Sequence, residues 1–140
     1  MKRYEPQFFL FLLVLAAVIT LACGSSAGHT LQSLTISPAV ANAQDYPGGM
    51  VQFTASGTYT APPSPVTPLA ATWGACDLAG NGTSGVSVSA NGLAQCASGA
   101  AGTYMVWAFD LNASGPRCNV ITACGGGCGR VTGTAQLTCP

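Results

Sequence analysis

The chain is 140 residues long with a formal net charge of 0; 6% of its residues are charged and 49% are hydrophobic. Its four cations, Lys2, Arg3, Arg117 and Arg130, are too few and too scattered for the clustered Lys and Arg that phosphate binding needs, which excludes nucleic acid as a partner. Long helices are disfavoured because Gly, Ser, Thr, Ala and Val dominate over good helix formers, while recurring aromatic and β-branched residues argue against disorder.

At the N-terminus, Lys2 and Arg3 precede an uncharged apolar run over residues 8–22. A spanning helix needs about 20 such residues, so this shorter run suits the h-region of an export signal. It stops at Cys23. The stretch Thr20-Leu21-Ala22-Cys23 resembles the lipobox of bacterial lipoproteins, with Thr20 and Leu21 inverting the usual order of the first two positions. The resemblance implies that residues 1–22 are removed and that Cys23 is acylated and attached to membrane lipid. Each buried CH₂ contributes about 0.8 kcal/mol, so two or more chains hold a protein firmly without a spanning helix. Gly24 rather than Asp after the cysteine implies sorting to the outer membrane if the envelope is Gram-negative. The plain alternative is an ordinary signal peptide with an incidental cysteine.

Removing 22 of 140 residues leaves 118, enough for one domain with its own core. Cys23 apart, six cysteines remain: Cys76, Cys96, Cys118, Cys124, Cys128 and Cys139. An even set in a small exported domain reads as a disulfide framework. Residues 23–30 read as the anchor and a short flexible tether, the last seven spanning about 15 Å on average. The folded domain is expected over residues 31–140.

From Leu31 the pattern is β. LTIS alternates and stops at Pro38, and Asp45-Tyr46-Pro47-Gly48-Gly49 is turn chemistry. Val51, Phe53 and Ala55 alternate with Gln52, Thr54 and Ser56, a half-buried strand. Residues 61–68 hold four prolines, a loop of polyproline II character. Strands follow at residues 69–76 with Trp73, at 86–89, and at 93–96 after the Asn91-Gly92 turn signal. Residues 102–109 are apolar on both faces, which predicts the most buried strand. Residues 112–130 are loop-rich, with a short strand allowed at 119–122. Val131, Gly133, Ala135 and Leu137 share one face of a last strand. Many short strands with frequent turns predict an all-β sandwich.

The run GGMVQFTASGTYT, a Trp strand, VSVSANGLAQC, GTYMVWAFD and GTAQLT, in this order, resembles a bacterial immunoglobulin-like domain of the group 2 type over residues 31–138. The resemblance implies an immunoglobulin-like β-sandwich of about seven short antiparallel strands, here disulfide-stapled. Trp73 would be the core Trp of the third strand. Tyr104 would take the tyrosine-corner position, and Val106 would stand where antibody domains place a cysteine, packing on Phe53 or Ala55. The cysteines depart from this family. On the sandwich, Cys76 with Cys96 is the favoured bridge, Cys139 is expected at the opposite pole, and the pairing of Cys118, Cys124, Cys128 and Cys139 stays open.

Other chemistry finds little support. Four thiolates around RCNVITACGGGCGRV and Cys139 would suit zinc, but the spacings are not zinc-ribbon pairs. CGGGC is not the C-x-x-C of redox proteins, and its glycines lack what a phosphate loop needs next. His29 lies in the tether, and Asp45, Asp77 and Asp110 are dispersed. No enzyme, cofactor or metal is expected. Binding would fall to the proline loop or to the loop at 112–130, where Arg117, Asn119 and Arg130 are the candidate contacts. Expected partners are membrane lipid and an envelope protein or surface glycan. The expected role is a non-catalytic structural or adhesion-type module; the alternative is an accessory subunit docking to an envelope complex through the 112–130 loop.

Overall fold

The computed structural model describes residues 28–110 and 131–140. Nine strands are present among them: β1 (Leu31–Ser37), β2 (Val40–Asn42), β3 (Met50–Gln52), β4 (Thr54–Tyr59), β5 (Ala71–Asp77), β6 (Val86–Val88), β7 (Leu93–Cys96), β8 (Gly102–Asp110) and β9 (Thr132–Cys139). They form two layers. In one, β1 pairs with β4, and β3 pairs with β7, which pairs with β6. Strands β3 and β4 are a single run interrupted at Phe53, whose N–H donates to the Gly92 carbonyl at 2.9 Å and so keeps contact with the β7 side. The other layer has the order β2-β9-β8-β5. Counting β1 with β2 and β3 with β4 as continuous runs gives seven strand paths, with the A-B-E-D and G-F-C orders of an immunoglobulin-like sandwich.

One pairing departs from an all-antiparallel arrangement. After Pro38 the first strand crosses to the second layer, where β2 runs parallel to β9, Val40 opposite Gln136. Proline supplies the break, because it has no N–H with which to continue the β1–β4 ladder.

The core follows from period-two alternation. Val51, Phe53 and Ala55 are 0–1% exposed and face Val106, Ala108, Ala135 and Leu137 of the opposite layer. The layers approach closely at Gly133, where an added Cβ would collide with the side chain and carbonyl of Leu34. Burial of each large side chain here contributes about 2 kcal/mol.

Strand β8 is buried on both faces from Val106 to Asp110, as its composition predicts. Its outward side chains Trp107 and Phe109 build a second buried cluster with Cys76 of β5, joined by Met105. Trp107 and Phe109 stack with centroids 5.6 Å apart and planes 6° from parallel. Gly74, opposite Trp107 in register, leaves the space the indole fills. These two aromatics therefore belong to the outer face of the layer, apart from the core between the layers.

The turns obey local chemistry. Gly48 and Gly49 take φ of 65° and 67° in the predicted turn. Asp77 accepts from the Asn81 backbone N–H at 2.7 Å and from its side-chain amide, and these bonds hold its carboxyl below the usual carboxylate range.

Candidate functional site

Strand direction defines two ends of the sandwich. Tyr59, Ala71, Asp110 and Thr132 mark one, and Cys96, Gly102 and Cys139 mark the other, since Ala71 lies opposite Asp110 and Gly102 opposite Cys139.

At the second end the cysteines correct two expectations. Cys96 pairs with Cys139, with Cα atoms 5.9 Å apart and a sequence separation of 43; Cys76 and Cys96 are not bridged to each other. Cys139 is not at the opposite pole: β9 returns antiparallel to β8, so its end lies beside the start of β8, which Cys96 closely precedes. Cys76 reaches the same end but faces outward, opposite Met105, and is itself disulfide-bonded. The Cys96–Cys139 bond ties β7 in one layer to β9 in the other. A loop of this length adds about 4 kcal/mol on the chain-entropy argument. The bond also removes Cys139 from any four-thiolate zinc set. Tyr104, at the start of β8, donates its hydroxyl to the Ala101 carbonyl at 3.3 Å, the local bond of a tyrosine corner. Beside this end lies a shallow pocket of about 500 Å³ bordered by Tyr46, Gln95 and Ser98.

The first end holds a polar clasp that sequence reading did not find. The His29 ring stacks on Tyr59, centroids 4.2 Å apart and planes at 15°. Tyr59 donates its hydroxyl to Asp110 Oδ2 at 2.9 Å, and Asp110 is 4% exposed. Thr60 accepts from the Thr30 N–H through Oγ1 at 3.1 Å and donates from that hydroxyl to the Gly28 carbonyl at 2.6 Å. Residues 28–30 are thus docked on the domain rather than part of a free tether. Partial burial, then the hydrogen bond to Asp110 and its negative charge, raise the Tyr59 pKa above the ordinary phenol value. Tyr59 therefore stays a donor at neutral pH and is no base. Asp110, the last residue of β8, is the acceptor of this clasp.

The proline loop, residues 61–68, is mostly exposed but folds back rather than standing out as a ridge. Val66 and Gly57 exchange backbone bonds of 2.9 and 3.0 Å, and the Leu69 N–H donates to the Ala55 carbonyl at 2.8 Å. This return covers the edge of β4 that the short β7 leaves open.

Between that return and the β6–β7 turn lies a groove of about 610 Å³, within the range of small-ligand sites. Its walls include Trp73, Pro68, Leu69, Gln52, Thr54 and Asn91. Trp73, expected as the core Trp of the third strand, packs against the core on one side but is only partly buried and lines the groove. Gln52 is pinned, its amide donating to the carbonyls of Phe53 at 2.8 Å and Asn91 at 2.7 Å. Gly92 sits beneath this turn with φ 80°, against the Phe53 carbonyl and the Trp73 ring. Asn91-Gly92 signalled the turn in the sequence, but nothing local revealed that it leans on Trp73.

Cys23 and the 112–130 loop, with Arg117, Asn119, Arg130, Cys118, Cys124 and Cys128, lie outside the described residues. Among the described residues no group of three or more His, Cys, Asp or Glu is placed to hold a metal, and no helix is long and apolar enough to cross a membrane. No protein-family model matches the chain, and no curated protein matches it.

Proposed function

We propose that this chain is an exported lipoprotein, anchored to the cell envelope through an acylated Cys23, that presents one immunoglobulin-like sandwich of the bacterial group 2 type as a non-catalytic, adhesion-type binding module. The observation that carries the reading is how near docked backbone lies to Cys23. Gly28, whose carbonyl accepts from Thr60, is held on the domain only five residues after the cysteine that ends the apolar run. A rigid domain so close to a lipid-modified residue needs no spanning helix to be held at a membrane.

The sandwich suits binding rather than catalysis. Its buried acid, Asp110, accepts from a tyrosine held in its protonated form, an arrangement that fixes a chain end and activates no nucleophile. An inter-layer disulfide supports persistence in an oxidising envelope.

Intact mass of the native protein extracted from membranes, with and without reduction and alkylation, tests this. The expected result is a chain starting at Cys23, heavier by its acyl groups, with no alkylatable thiol before reduction. An unacylated Cys23 overturns the anchor, and free thiols at several cysteines overturn the stapled export domain.

A further inference from the structure

The groove beside Trp73 has a chemistry that selects its ligand. None of its lining residues is ionisable. A charged ligand would therefore be desolvated there with no partner, at a steep cost. An extended peptide adding as a strand needs unpaired backbone, and along the β3–β4 side of the groove the backbone is spoken for. Phe53 N–H is bonded to Gly92, the Ala55 carbonyl to Leu69, and both groups of Gly57 to Val66; the Phe53 carbonyl receives the Gln52 amide.

What the groove offers instead is side-chain polarity around one aromatic. Gln52 spends both amide hydrogens on the two carbonyls that pin it, which leaves its Oε1 as a fixed acceptor. The Thr54 hydroxyl, the Asn91 side-chain amide and the Trp73 indole N–H hold no hydrogen bond among the described residues. None of these atoms is both buried and unpartnered, so each is open to solvent or to a ligand. The set is mixed, with donors from Trp73 and Asn91, acceptors from Gln52 and Asn91, and either role from Thr54. A purely apolar ligand would strand these groups. A ligand that is neutral, carries vicinal hydroxyls acting as donor and acceptor together, and has an apolar C–H face to lay on an indole meets every condition.

From this we infer that the Trp73 groove is a binding site for an uncharged saccharide unit. Trp73 supplies the platform and an N–H donor, and Gln52, Thr54 and Asn91 supply the hydroxyl contacts. The inference rests on the binding-module part of the reading above and is independent of the lipid anchor.

The test uses the full protein in a detergent without a sugar headgroup, titrated with chitotetraose, maltotetraose and mannotetraose. The readouts are tryptophan emission and saturation-transfer NMR on the saccharide. Trp73 and Trp107 are the only tryptophans, and Trp107 is buried, so an emission change reports the groove. At least one saccharide is expected to bind with a Kd near or below about 1 mM. Thr54→Val and Asn91→Ala should each weaken it about fivefold, the effect of one lost hydrogen bond. Trp73→Phe should abolish the emission change and weaken the NMR signal, and the first two variants decide the matter if this one folds poorly. No response from any of the three at about 10 mM, or binding unchanged in folded Thr54→Val and Asn91→Ala, overturns the inference. Saccharide binding by a chain whose Cys23 proves unmodified removes the anchor and leaves this site standing; an acylated Cys23 with no binding does the reverse.

Discussion

Tyr59 is where single side chains matter most. Its hydroxyl bond to Asp110 is worth about 1 kcal/mol net, so Tyr59→Phe should lower the melting temperature by roughly 4–8 °C, measurable by thermal denaturation followed by circular dichroism. The same bond makes a prediction about pH. The folded-state pKa of Tyr59 is raised, so above the unfolded phenol value the native state holds a proton that the unfolded chain has lost. This contribution is complete below about pH 10 and disappears as pH climbs through the raised value. Urea midpoints should therefore fall on the alkaline side in the wild type, and less steeply in Tyr59→Phe. Neither the clasp nor its partner was legible in the sequence, because residues 51 positions apart meet only when β4 and β8 end at the same pole.

Among the elements, the β6–β7 hairpin shows how a turn depends on what lies beneath it. Gly92 and Gly99 both have positive φ, 80° and 77°, but a Cβ at Gly92 would strike the Phe53 carbonyl and the Trp73 ring while one at Gly99 meets nothing within 4 Å. Gly99→Ala should cost only the backbone penalty, about 1 kcal/mol. Gly92→Ala should cost clearly more and shift the groove, a difference that paired urea titrations would show. Alternation placed most strands correctly, including Val51, Phe53 and Ala55 on the buried face. It also contained the answer to the misassigned bridge. Trp73 faces the core, so Cys76, three residues on, must face the other way, where the outer cluster lies. Cys76 and Cys96 share a pole of the sandwich but do not face each other across it.

At the scale of the molecule, two layers are held by a thin apolar core and, among the described residues, by the Cys96–Cys139 bond between them. Leu137 and Val106 are both 0% exposed. Leu137→Ala should cost about 3 kcal/mol, as a cavity in a closely packed interior does. Replacing Cys96 and Cys139 together by Ala should cost about 4 kcal/mol on the entropic account, enough to remove much of the stability of a small domain; guanidinium unfolding of wild type and variant side by side measures both effects. The strands and their buried faces were within reach of the sequence, since most carried their own alternation and turn signals; their order in the layers was an expectation from the resemblance alone. The parallel β2–β9 pairing was out of reach, because three residues, Val40, Ala41 and Asn42, are too few to carry a periodicity.

The docking of residues 28–30 against Tyr59, Thr60 and the proline loop acts as a compass bearing. Five residues reach at most about 17 Å. A lipid on Cys23 would therefore hold the Tyr59–Asp110 end down against the headgroups and turn the Cys96–Cys139 end outward, with the Trp73 groove opening sideways between them. The proline loop, being at the moored end, would meet lipid before it met any partner.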